Sequence, residues 1–110
     1  MKTKLFELLD HLAKRPSMHV GTLSVATVKS YLHGLYAGCE LAGMEYTSDE
    51  YYAAAQSLGW DPRGAIGVLR DFQRNGLTED AIIRELIAIE RAAYALAFAR
   101  RESQPRPATD

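Results

Sequence analysis

The chain is poor in the features that usually announce a function. Its 110 residues include one cysteine, so no disulfide can form within the chain and no structural zinc can be held by thiols. A reducing compartment, and hence the cytoplasm, is expected. No charge of one sign dominates: thirteen basic and fourteen acidic side chains leave a net charge of -1. That excludes a dedicated nucleic-acid binder, which carries a basic excess. No apolar run approaches the roughly 18 residues of a membrane span, and Glu7 and Asp10 stand where a signal peptide would keep an uncharged stretch. No run of alternating β-branched residues lies between hairpin turns, so no strand is predicted. Internal repeats and domain-dividing linkers are absent as well. What is present is 47% hydrophobic and 25% charged residues, an ordinary globular composition on a chain long enough to bury about two-thirds of its unfolded surface.

The periodicity is helical throughout. Leu5, Leu8, Leu9 and Leu12 make one apolar face over residues 4–14, and Pro16 stops that helix because the residue before proline is biased out of the helical region. Ser24 reads as the N-cap of a second helix to about Ala42, with Val25, Val28, Leu32, Leu35 and Cys39 along one stripe. The same segment carries Ser30, Gly34, Gly38 and Ala42 at four-residue spacing, and this ridge of small residues is expected to pack tightly against another backbone. Gly43 ends the helix. Thr47 or Ser48 caps a third helix, with Asp49 and Glu50 in its first turn and Gly59 as its stop. Asp61 and Pro62 read as the cap and first position of a fourth, with Ala65, Ile66, Leu69 and Phe72 or Gln73 facing inward and Asn75-Gly76 closing it. Thr78-Glu79-Asp80 opens the longest helix, to about Arg101, with a wide stripe of Ile82, Ile83, Leu86, Ile87, Ile89, Ala93, Tyr94, Leu96 and Ala97. An all-α, single-domain bundle of four to five helices over residues 1–101 is predicted, followed by a flexible polar tail over 102–110.

The chemistry-bearing residues form no catalytic pattern. His11, His19, His33 and Cys39 make no CxxC, HxxxH or HExxH spacing, so no metal or other cofactor is expected. Cys39 and His33 lie six residues apart on one helix and face different ways, which argues against a cysteine nucleophile with that base. Glu90, between Leu86 and Tyr94, is the one acid on an apolar face; it reads as a boundary residue that reaches solvent or bonds a tyrosine hydroxyl. The chain is expected not to be an enzyme.

One short motif stands out: Arg15-Pro16-Ser17-Met18-His19-Val20-Gly21. Physically, a proline stop, a buried Met18 and a glycine turn pin the first helix against the second. Over these residues the chain resembles the R-P-G-M-Y-I-G segment of gyrase-type ATPase domains. The Asn-centred magnesium-ATP box and the mixed sheet of that family have no counterpart here, so ATP hydrolysis is excluded. The motif, with Ser24, Tyr31-Leu32-His33-Gly34-Leu35-Tyr36, Trp60 and the acidic-led last helix, also resembles a group of small bacterial proteins with the pattern R-P-x-M-Y-x-G. His19 stands where that group has tyrosine. Several of its members look like immunity proteins of polymorphic-toxin and contact-dependent inhibition systems. The resemblance implies a protein that neutralises a cognate toxin domain by direct binding, with Arg15, Pro16, Met18, His19 and Gly21 as a structural motif.

A candidate binding surface comes from the charge pattern. No lysine or arginine lies between Lys29 and Arg63, while Glu40, Glu45, Asp49, Glu50 and Asp61 do. Within that stretch Glu45, Tyr46, Asp49, Glu50, Tyr51 and Tyr52 combine carboxylates with tyrosines, which suit a basic partner such as a toxin nuclease. The competing expectation is structural: acids at a helix start favour its dipole, and one or two of the tyrosines belong to the core. From a different class, a homo-oligomeric regulatory or scaffolding module, with a homodimer through the Gly34-Gly38 ridge or the last helix, also stays open. Neither nucleic acid nor membrane is an expected partner.

Overall fold

Local signals set the helix ends, and the ends set the architecture. In the computed structural model, which describes residues 2–63 and 67–103, the helices are α1 (Lys2–Lys14), α2 (Val25–Leu41), α3 (Ser48–Ser57), α4 (Val68–Arg74) and α5 (Glu79–Ser103), with a 3-10 turn at Pro16–Met18 after α1. The described residues contain no strand, and the fold is the all-α, single-domain bundle that the periodicity predicts. Ser24 and Thr47 each cap a helix through a reciprocal capping box, Ser24 with Thr27 and Thr47 with Glu50. Thr78 accepts a hydrogen bond from the Ala81 amide at the start of α5.

The stops share one device. After α2 the amide of Gly43 donates to the Glu40 carbonyl and that of Met44 to Cys39; after α3, Gly59 donates to Gln56 and Trp60 to Ala55. Gly43 and Gly59 have φ of +72° and +87°, the left-handed conformation that such a terminus needs and side-chain-bearing residues resist. Leu77 repeats the pattern after α4, donating to Phe72. The residue that follows Gly43, Gly59 and Gly76 in turn, Met44, Trp60 or Leu77, packs against the core. Each stop therefore turns the chain and anchors it in one step.

The long α5 lies along α1, α2 and α3. Lys2 pairs with Glu102 at 2.7 Å, Phe6 meets Phe98 edge-on at 5.8 Å, and Asp10 pairs with Arg91 at 2.7 Å, so α1 runs antiparallel to α5. Leu5, Leu9 and Leu12 from α1, Val28, Leu32 and Cys39 from α2, Phe72 from α4 and Ile83 to Tyr94 from α5 make one core. Ala54 and Ala55 on α3 and Ala93 and Ala97 on α5 are fully buried; with no bulk beyond Cβ, they let two helix backbones approach closely.

Several expectations need correction. The small-residue ridge of α2 faces outward: Ser30, Gly34, Gly38 and Ala42 are exposed, and a Cβ at Gly34 or Gly38 would meet nothing within 4 Å. The apolar stripe of Val28, Leu32 and Cys39 won the core because burial there removes more area from water than a stripe of glycines can. Asp61-Pro62 does not start a helix; Asp61 instead accepts from the amide and guanidinium of Arg63, and α4 begins only at Val68 after Gly67. Leu69 and Phe72 face inward as expected, while Ala65 and Ile66 lie outside the described residues. Met18 is 67% exposed rather than buried, because the 3-10 turn, with the amides of His19 and Val20 donating to the Pro16 carbonyl, carries it away from α1. Leu96 is exposed also. The helix continues through Glu102 and Ser103, so the first two residues assigned to the tail are helical; the rest of the tail lies outside the described residues.

Candidate functional site

The motif after α1 is a joint. His11 Nδ1 and His19 Nε2 lie 2.6 Å apart, and His19 Nδ1 lies 3.2 Å from the Tyr31 hydroxyl. An imidazole, with nitrogens on two sides, bridges α1 and α2 here; a phenol with one hydroxyl reaches only one of the two partners. Neither His11 nor His19 lines the cleft that holds Glu90, and among the described residues no three His, Cys, Asp or Glu side chains group to hold a metal ion.

The more pronounced feature is a cleft of about 300 Å³ where α2, α3 and α5 converge. Its walls are Tyr36, Tyr46, Tyr51 and Tyr52, its floor is Glu90, and His33 and Ser48 complete it. Each wall has a local cause. The turn at Gly43 sends Met44 to Tyr46 across toward α5, and the Thr47 cap starts α3 so that Tyr51 comes beside Tyr46, rings stacked at 5.7 Å. The Tyr36 ring meets Tyr46 at 4.7 Å and its hydroxyl donates to the Tyr46 carbonyl at 3.0 Å. Tyr94, fully buried on α5, meets Tyr46 edge-on at 5.0 Å. Its own hydroxyl sits against the buried Cys39 thiol without a hydrogen bond of ordinary geometry.

Glu90 is 7% exposed. The Tyr46 hydroxyl donates to its Oε1 at 2.7 Å, while Oε2 is buried with no hydrogen-bond partner. Burial pushes the Glu90 carboxyl up to about 7, against the smaller opposing effect of the Tyr46 hydrogen bond. Burial, reinforced by the charge of Glu90, in turn pushes the Tyr46 phenol far up, and it raises Tyr51 to about 12. The tyrosine-bonded alternative considered for Glu90 is therefore the one realised, but at the bottom of a cleft rather than at a boundary.

Of the six proposed contact residues, Tyr46, Tyr51 and Tyr52 reach this cleft, and the three acids do not line it. Glu50 caps the Thr47 amide and pairs with Arg100 at 2.9 Å. Burial alone would raise its carboxyl, but the hydrogen bonds from Arg100 and Thr47 hold it below the usual range. Glu45 lies 3.8 Å from Arg101, whose guanidinium also donates to the Glu45 carbonyl. Asp61, held down to about 2 by the Arg63 hydrogen bonds, is likewise occupied. The acidic stretch seen in sequence is thus largely neutralised by arginines from the C-terminal end of α5 and from Arg63, leaving Glu40 and Asp49 without an ion-pair partner among the described residues. Tyr36, His33, Ser48 and Glu90 escaped the sequence-based site. For Glu90 a signal existed: an acid four residues from Leu86 and from Tyr94 on an apolar stripe.

No protein-family model, no curated protein and no solved structure matches the chain.

Proposed function

We propose that the chain is a non-enzymatic binding protein, an immunity protein that neutralises a basic toxin domain by docking it on the face where α2, α3 and α5 converge. The observation that supports this is the tyrosine-walled cleft with Glu90 on its floor. Tyrosine gives rigid amphipathic contact area, and a well-shaped concave patch is where binding energy concentrates. The carboxylates of Glu45 and Glu50 contribute by holding the loop and α3 in place, and Asp49 supplies the free charge beside the cleft.

The test is complex formation between the purified chain and the protein encoded beside it, measured by titration calorimetry. Binding is expected, and Ser48→Trp, which fills the cleft mouth from an exposed position, is expected to weaken it at least tenfold. Absence of a complex at micromolar concentrations overturns the reading.

A second reading has one observation in its favour. Leu41 is 91% exposed at the end of α2, on the helix whose Gly34 and Gly38 are open, a surface that would suit a homo-oligomeric module. A concentration-dependent dimer in light scattering that Leu41→Glu dissociates supports it; a monomer at all concentrations removes it.

A further inference from the structure

Resting on the reading that the cleft is the docking face, we propose that it receives a single cationic side chain of the partner, a lysine ammonium or an arginine guanidinium. Four tyrosines line the cleft, and a tyrosine ring attracts a cation placed over an open face because that face carries the negative part of the ring quadrupole. Above about pH 7, where Glu90 is ionised, the floor carries a buried charge. Glu90 Oε2 is buried without a donor, and a buried acceptor left unsatisfied costs about 1–3 kcal/mol. A cation seated among the tyrosines sets an opposing charge above this carboxyl. An apolar group would leave that charge uncompensated, and an anion would be repelled by it.

Size and supply agree with this. About 300 Å³ is the small end of the range of ligand sites, which suits one side chain rather than a nucleotide. Among the described residues no lysine or arginine lines the cleft, and Arg100 and Arg101 are paired with Glu50 and Glu45. Tyr52, 46% exposed, stands at the rim where the stem of an entering side chain would lie against it.

The experiment uses the full chain with ¹³C-labelled tyrosine rings, titrated by NMR with N-acetyl-lysine methylamide and N-acetyl-arginine methylamide. N-acetyl-norleucine methylamide, which matches the apolar stem without the charge, is the control. Saturable shifts of the Tyr36, Tyr46, Tyr51 and Tyr52 signals are expected with at least one of the two cationic amides, with at least tenfold weaker binding of the norleucine amide. Tyr52→Ala, at an exposed position, and Glu90→Gln, which keeps the acceptor for Tyr46, are each expected to weaken binding at least fivefold. Absence of saturable shifts with both cations, equal response to norleucine, or undiminished binding to both variants overturns the assignment. The outcomes separate from those of the docking test. A complex that Ser48→Trp disrupts, in a chain that binds neither cationic amide, keeps the docking face and overturns the cation site. Binding of a cationic amide without any protein complex keeps the site and removes the immunity reading.

Discussion

The Tyr46 hydroxyl donates to Glu90 Oε1 at 2.7 Å across 44 residues of chain, and this bond joins the loop before α3 to the middle of α5. It leaves the second carboxyl oxygen buried and unpaired.

Stability is expected to fall as pH rises from about 4.5 to about 7. Glu90 moves from an ordinary value of 4.5 to about 7 in the fold. A carboxyl raised in this way keeps a proton that the unfolded chain has released, so its contribution is fully present below pH 4.5 and is lost as pH climbs to about 7, roughly 3 kcal/mol in all. The groups around it, Tyr36 and Cys39 on α2, Tyr46, Tyr51 and Tyr94, are all shifted upward and stay neutral in that window. Urea unfolding at pH 5 and pH 8 should show the loss in the native chain and its absence in Glu90→Gln, with His33→Ala isolating the histidine at the mouth. Equal slopes in the native chain and Glu90→Gln would falsify the assignment.

Removing the Tyr46 hydroxyl tests the other half of the pair. Tyr46→Phe keeps the ring contacts but strips Glu90 of its donor, which should destabilise the fold by about 1–3 kcal/mol and raise the carboxyl further. In a Glu90→Leu background the same change is expected to cost far less. A double-mutant cycle that closes without coupling would mean that the bond contributes nothing.

The outward ridge of α2 makes an unusual promise for glycine replacement. Gly34 and Gly38 have open space at the Cβ position and ordinary helical backbone, since neither has a positive φ. Gly34→Ala and Gly38→Ala are each expected to stabilise the monomer by about 0.5–1 kcal/mol, read as a shift in the urea midpoint. Loss of stability in either variant, measured where the chain is monomeric, contradicts the outward placement.

The joint after α1 gives a paired comparison. Met18→Ser, at an exposed site, should change stability by no more than about 0.5 kcal/mol. His19→Ala, which cuts the links to His11 and Tyr31, should cost about 1–2 kcal/mol. The reverse order would restore the buried methionine.

Much of the fold was legible because it rests on short-range rules. Ser24, Thr47, Gly43, Gly59 and Gly76 act within about one helical turn, and the apolar stripes of α1 and α5 have a period that any reader can count. Asp61-Pro62 satisfied the same rules, and its carboxylate does accept from the Arg63 amide as a cap would, yet Arg63 is not helical and α4 begins only at Val68. The cleft was legible only in fragments. Tyr46, Tyr51 and Tyr52 stood out by proximity in sequence, whereas Tyr36 and Glu90 join them from α2 and α5.

By itself, then, the amino-acid order determined where helices start and stop and which face of each is apolar, because capping and periodicity act between near neighbours. Tertiary structure alone decided which of two faces of α2 is buried, that Arg100 and Arg101 would pair with acids of a distant segment, and that a carboxyl with one oxygen unpartnered would lie buried beside the tyrosines of the cleft. Those outcomes depend on how helices pair across tens of residues, where burial and charge compensation compete and no local pattern records which one wins.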